Sequence, residues 1–307
     1  MPSFLVAQNS NASYTPSYVP VMVITGATSG IGQAITQTLA RHLHGRVHII
    51  IIARNSSAAS RIISTLPTHP AAIYEFIACD VSLMQNVHAL AQDLSARLPK
   101  LNFLVHCAGV FGLDGRRETE EGIDVKLASR YYARFTLTYD LLPLLRKATE
   151  RGEPASVLTV LGAGSKGTSE VDLDDLGLKK RYTGWKAMMA SIDYNDLMVA
   201  EFSKREPNIA FTHIFPGFVS TAILHKSSNP ISKLFLFFLS PLLWLITRTQ
   251  ETCAEYMLYA LIQAERGMYR RNENGDDIGL KGFPRFANDA QRILWEHSLQ
   301  ATSTSTS

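Results

Sequence analysis

Unbroken apolar runs alternate along this chain with segments whose apolar positions recur every three or four residues. The runs are "VPVMVITG", "RVHIIIIAR", "AAIYEFIACD", "NFLVHCAG", "ASVLTVLG" and "NIAFTHIFPG". They are short and rich in β-branched residues. They also lack the in–out alternation of a half-exposed sheet, so they read as strands buried on both faces. Between them, "IGQAITQTLARHL" and "LMQNVHALAQDLSARL" have helical spacing, and longer helical regions fall near 119–148 and 183–204. Strand, helix, strand in this order predicts βαβ units: an α/β doubly wound, Rossmann-type parallel sheet with helices on both faces.

No linker or internal repeat interrupts the pattern, so one domain is expected over residues 18–300. Residues 1–17 read as a flexible or extended lead-in, since they carry no basic region and no long apolar core. The closing "ATSTSTS", 301–307, is low-complexity and reads as a disordered tail. The stretch "ISKLFLFFLSPLLWLIT", 231–247, is too short to span a bilayer and is broken at Ser240-Pro241. It reads as a buried lid near 229–247 or as a membrane-surface contact.

Composition adds limits. Hydrophobic residues make up 46% and charged residues 19% of 307, and the net charge is +3. That balance is globular and too mild to argue for nucleic acid. Three cysteines (Cys79, Cys107, Cys253) without ligand-like spacing suit a reduced, cytoplasmic setting and no disulfide framework. The nine histidines show no metal-ligand pattern, so no metal is expected.

Chemistry enters at "TGATSGIG", Thr25 to Gly32, where the first strand meets the first helix. Its small residues allow a tight turn and a close backbone approach to a phosphate, and the helix turns its free N–H groups toward that phosphate. Gly26, Thr28, Ser29, Gly30, Ile31 and Gly32 are therefore candidate cofactor residues. In this position the pattern resembles the short-chain dehydrogenase/reductase family, and three further stretches follow in the family's order. "CDVS" at 79–82 is similar to its Asp-Val, which puts Asp80 and Val81 at the adenine. "HCAG" at 106–109 is similar to its Asn-Asn-Ala-Gly, which adds Ala108 and Gly109. "FPGFVST" at 215–221 is similar to its Pro-Gly-x-Val-x-Thr, which adds Pro216, Gly217, Val219 and Thr221 on the nicotinamide side. The second strand ends in Ala53-Arg54, where an NAD site has a carboxylate for the ribose hydroxyl. A guanidinium there suits a 2′-phosphate, so NADP(H) is the expected cofactor.

The resemblance implies a Tyr, a Lys four residues on, a Ser after the fifth strand and an Asn on the preceding helix. Two registers compete. Tyr182 and Lys186, read inside a helix, match the spacing and are one candidate pair. The neighbouring "DDLGLKKRYTGWKAMMASIDYNDLM" resembles the retinol-dehydrogenase-like branch in another register. There Met188 takes the Tyr position, Ile192 the Lys position and Asn195 a following Asn. In that register Gly162 holds the Ser position and Arg130 the Asn position. Ser165 substitutes for the missing Ser only if its loop bends back. Arg130 is either a salt-bridged structural residue, with Asp124 or Asp193 as partner, or a contact for a substrate carboxylate or enolate. His106 is expected to make a structural hydrogen bond, and His225 is a weaker candidate acid or base.

The resemblance, which extends to fungal secondary-metabolism members with irregular active sites, implies an NADP(H)-dependent oxidoreductase. Its substrate would be a small hydrophobic carbonyl or alcohol in a biosynthetic pathway. The alternatives are a non-redox isomerase or cyclase on the same fold, or a non-catalytic binding partner. A homodimer through the two long helices is also implied.

Overall fold

The four isoleucines Ile49 to Ile52 show why the strands do not alternate. Ile50 and Ile52 pack into one hydrophobic core, Ile49 and Ile51 into another on the opposite side of the sheet. Both faces are covered, so every residue of the strand interior is apolar. The computed structural model describes residues 2–165, 171–219, 247–284 and 289–303.

The sheet holds seven parallel strands: β1 (Val21–Thr25), β2 (His48–Ala53), β3 (Ile73–Ala78), β4 (Phe103–His106), β5 (Ser156–Val160), β6 (Ala210–Ile214) and β7 (Gly267–Arg271). Their order is β3-β2-β1-β4-β5-β6-β7. The direction of winding reverses between β1 and β4, and in such sheets ligands bind beyond the strand ends at that point. This is the doubly wound Rossmann-type fold expected from the sequence.

The helices divide between the two cores. On one face lie α1 (Phe4–Ala12), α2 (Gly30–His42), α3 (Ser56–Ile63) and α7 (Gln250–Ile262). On the other lie α4 (Met84–Arg97), α5, α6 (Gly184–Arg205) and α8 (Ala290–Thr302). Helix α5 starts as a single α-turn, Val125–Leu127, passes through a π-helical turn, Ala128–Tyr132, and continues as Ala133–Glu150. Asp124 caps its start by accepting from the N–H groups of Lys126 and Leu127.

Three expectations change. The lead-in is not extended: Ser3 caps a helix whose Asn11 is fully buried and donates to the Glu255 carbonyl and carboxylate, each at 2.8 Å. Arg41 and His42 hold the same carboxylate, so α1 is fastened to α2 and α7. Residues 301–302, read as tail, complete the last turn of α8. The seventh strand was missed because "GMYRR" is polar. Its Arg270 is nonetheless fully buried, bonded to Asp196 at 2.7 Å and to the carbonyls of Gly279 and Lys281. The apolar stretch read as a lid near 229–247 lies, apart from Thr247, outside the described residues. Among the described residues no helix is long and apolar enough to cross a membrane.

Candidate functional site

The turn after β1 is built for close approach. Gly26 has φ +76°, and a Cβ there would stand 2.6 Å from the Ala108 nitrogen and 2.8 Å from its Cα. A Cβ on Gly32 would stand 2.6 Å from the Gly26 carbonyl oxygen. The first turn of α2 therefore sits directly on the loop, and the loop directly on the end of β4. Thr28, Ser29, Gly30 and Ile31 complete the turn. Ser29, at the N-cap, makes no side-chain capping bond, which leaves the first-turn N–H groups pointing outward. This cradle at the winding reversal fits a dinucleotide pyrophosphate.

The adenosine end lies at β2 and β3. Arg54 follows β2 with its side chain 74% exposed, and its Nη1 is 3.7 Å from Asp80 Oδ2. Asp80 Oδ1 accepts from the Ser82 N–H at 3.0 Å and hydroxyl at 2.7 Å. Partial burial raises this carboxyl's pKa, but the Ser82 bonds and the Arg54 guanidinium outweigh it and hold it below the usual carboxylate range. Val81 packs at the edge of the core. Sequence reading missed Arg61, which shares a cleft of about 160 Å³ between α2 and α3 with Thr28 and Gln37. Only its place in the first turns after Arg54 could have suggested it.

Beyond β6, Gly217 takes φ +77°, the Pro216 carbonyl accepts from Cys253 Sγ at 3.5 Å, and Val219 bridges to Arg248. Thr221 and His225 lie outside the described residues.

At the reactive end the two registers separate. Tyr182 is not in the helix. It lies before the N-cap Thr183, and its hydroxyl accepts from Lys126 Nζ at 3.2 Å. Burial raises its pKa more than Lys126 lowers it. Lys186 sits in the first turn of α6. Ile192, two turns on, faces Gly162 at the end of β5: a Cβ there would stand 2.7 Å from Ile192 Cδ1. Met188 lies four residues before Ile192 on that face, whereas Lys186 is turned about 120° away. The chain after β5 makes a tight turn, closed by the Ser165 N–H donating to the Gly162 carbonyl at 3.0 Å, with Gly164 at φ +75°.

Arg130, in the π-helical turn, is buried beside Gly109, where a Cβ would stand 3.2 Å from its Cγ. Its Nε donates to Ser191 Oγ at 2.9 Å, and its backbone carbonyl accepts from Asn195 Nδ2 at 2.9 Å. Asp124 is not its partner, because that carboxylate accepts from the backbone amides of Arg117, Lys126 and Leu127. One turn on, Arg134 ties β4 to β5, donating to the Ala108 carbonyl at 2.9 Å, Thr159 Oγ1 at 2.5 Å and the Val160 carbonyl at 3.1 Å. Burial lowers the pKa of Arg130 to about 10, and burial with the neighbouring charge lowers that of Arg134 to about 9. Both remain cations at neutral pH.

Two buried histidines serve the frame. His106 bonds Thr138 Oγ1 at 3.0 Å, and burial holds its pKa well down. His213 accepts the Gly162 N–H on Nε2 at 3.1 Å and donates from Nδ1 to Asp196 at 2.6 Å. Asp196 also holds Arg270 at 2.7 Å. Both His213 nitrogens are engaged, which leaves no free site for proton exchange.

Comparison with known proteins gives the family and the fold. The family model of the short chain dehydrogenases matches residues 20–231. An oxidoreductase of Emericella nidulans is 35% identical over 243 residues, 78% of this chain and 71% of the relative. The polyprenol dehydrogenase of Mus musculus is 27% identical over 92% of this chain and 83% of its own. Among solved structures, a protein from Mycobacterium paratuberculosis matches with a TM-score of 0.66 at 21% identity, covering 95% of this chain and 96% of that one. NADPH-bound carbonyl reductase from chicken fatty liver matches with a TM-score of 0.61 at 19% identity, over 85% of this chain and 99% of its own. These structural likenesses are of fold.

Proposed function

The chain belongs to the short-chain dehydrogenase family of oxidoreductases, and on that premise we propose that it is an NADP(H)-dependent enzyme of a biosynthetic pathway acting on a hydrophobic carbonyl or alcohol. The observation that carries the cofactor is Arg54. It stands open to solvent at the end of β2, beside a glycine cradle that admits no side chain, and Ala53 supplies no carboxylate for a free ribose hydroxyl. Gly26 to Gly32 would hold the pyrophosphate, Arg54 the 2′-phosphate, Asp80 and Val81 the adenine, and Pro216, Gly217 and Val219 the nicotinamide side. Bound there, NADP(H) supplies hydride chemistry.

The substrate class follows from the wall opposite. Met188, Ile192 and Gly162 offer hydrocarbon and thioether where the family pattern has polar groups. A long-chain or terpenoid substrate suits that wall, in keeping with the relative named polyprenol dehydrogenase. The same residues favour a second reading. Neither Met188 nor Ile192 can donate a proton, so a non-redox isomerase or cyclase on this fold also suits them.

Titration with NADPH and NADH, followed by nicotinamide fluorescence, tests the proposal. One or two charge-assisted hydrogen bonds from Arg54 should favour NADPH by about tenfold or more. No NADPH binding at millimolar concentration would sink the reading. Binding with no consumption across varied hydrophobic ketones and alcohols would favour the isomerase.

A further inference from the structure

Buried arginines in this protein are held in different ways. Arg270 meets Asp196 and two carbonyls, and Arg134 meets a hydroxyl and two carbonyls. Arg271 donates once, to the Gly275 carbonyl, with its guanidinium beside the Tyr269 ring. Arg130 differs in having, among the described residues, neither a carbonyl nor a ring against its guanidinium. Among the described residues its guanidinium makes one side-chain hydrogen bond, from Nε to Ser191, and no ion pair. Its Nη groups have no partner there, yet they are not among the polar atoms sealed from solvent, as Arg134 Nε is. The residue as a whole is only 8% exposed. A guanidinium this far from water, fixed at Nε and open along Nη, is a fork held ready for a planar anion.

Its place gives the fork a purpose. Arg130 lies against Gly109 at the end of β4, and Ser191, its tether, precedes Ile192, which covers Gly162 at the end of β5. Arg134, one turn further, adds a second positive charge to the same floor. A buried cation without a carboxylate is costly, and an incoming anion would relieve the cost.

We infer that Arg130 anchors an anionic oxygen of the substrate, so the protein acts on hydrophobic molecules that carry a carboxylate or enolate oxygen at the reacting end. The inference deepens the functional reading above and rests on it for the location of the reacting end. It assigns charge recognition to Arg130 and hydrocarbon recognition to the Met188–Ile192 face.

The test uses two probes of the same chain length, decanoate and the neutral decanamide, with binding followed by calorimetry on the NADPH-loaded protein. Wild type should favour decanoate by about tenfold or more, the worth of a charge-assisted pair. Arg130→Gln should abolish the preference, and Arg130→Lys, which keeps the charge and loses the fork, should retain part of it. A preference that persists in Arg130→Gln, or is missing in wild type, overturns the inference. A measurement on wild type alone covers the case in which the variants do not fold. Phenylglyoxal labelling of Arg130, read by peptide mass spectrometry, should be suppressed by decanoate and not by decanamide. Equal labelling with both would overturn it. NADPH fluorescence, read separately and without turnover, reports whether the oxidoreductase reading itself has failed.

Discussion

Ile192 occupies the space that a side chain at Gly162 would need, with Cδ1 2.7 Å and Cγ1 2.9 Å from the position of a Cβ there. In the register that puts Ile192 at the family's Lys position and Gly162 at its Ser position, those positions would hold a hydrocarbon and the gap that admits it. Gly162→Ala should cost about 1–3 kcal/mol, the usual cost of overpacking a filled site. Ile192→Val or Ile192→Ala should recover part of that cost. Urea unfolding of the two single variants and the double variant would show a favourable coupling between them. Additive effects would mean the two side chains do not compete for space.

If the Met188–Ile192 face is the reacting one, Tyr182→Phe and Lys186→Ala should leave turnover within a few-fold of wild type, whereas loss of a positioned acid–base group costs about 10²–10⁴ in rate. Tyr182 bonds Lys126 ahead of the helix, and Lys186 points away from the Ile192 face. A hundredfold loss of kcat in either variant, with NADPH binding intact, would restore the pair to the reaction.

The sequence showed the sheet more clearly than the site, for physical reasons. Strands rich in β-branched and aromatic residues stood out, so six of the seven were legible, including β3, which carries Glu75 and lies half-exposed at the sheet edge rather than buried on both faces. The seventh was hidden because Arg270 is paid for by Asp196, seventy-four positions away in sequence. The glycine cradle was legible because Gly26 and Gly32 are sterically obligatory where they stand. Helix α1 was not, because its docking depends on Asn11 reaching Glu255, a contact across 244 positions that no local pattern encodes. The tyrosine–lysine spacing misled about the helix because i,i+4 describes a face only inside a helix, and α6 begins after Tyr182.

Arg54→Ala should weaken NADPH by about tenfold or more while changing NADH little, since the loss is that of a charge-assisted contact to the phosphate alone. Stability should move by no more than about 0.5 kcal/mol, because the ion pair with Asp80 is solvent-exposed and screened. Fluorescence titration of both cofactors with a parallel urea curve separates the two effects. Equal weakening of NADPH and NADH would assign Arg54 a general role at the site.

Acid should destabilise the fold as pH drops below about 6.5. Burial depresses His213 despite Asp196 beside it, and burial holds His106 well below its ordinary value. Both therefore bind protons more readily unfolded than folded. Their contribution is complete above the unfolded pKa and is lost as pH falls toward the folded one. His88 has the opposite sign, because its bond to Asp140 raises it. Its contribution is full below the unfolded pKa and fades as pH rises through the folded one. His213→Gln can still donate to Asp196 and accept from Gly162, so it should flatten the acid side of a stability–pH curve measured in urea. An unchanged acid limb would mean that other groups dominate.

Helix α8 covers the face of α5 and α6 through which a homodimer was expected. Trp295 packs on Phe202 at 4.8 Å and Phe135 at 5.0 Å between ring centroids, with the Arg205 guanidinium 4.2 Å from its ring centre. Ser298 and His297 take the hydroxyls of Tyr131 and Tyr132 at 2.6 and 2.7 Å. With the chain's own helix in that place, the intact protein should sediment as a monomer. Trp295→Ala should cost about 3–5 kcal/mol, as expected for emptying a large buried aromatic site. Removing residues 290–303 should uncover the aromatic face and produce self-association, visible as a shift from monomer in analytical ultracentrifugation. A dimer of the intact chain that survives the Trp295→Ala change would put the interface on another surface.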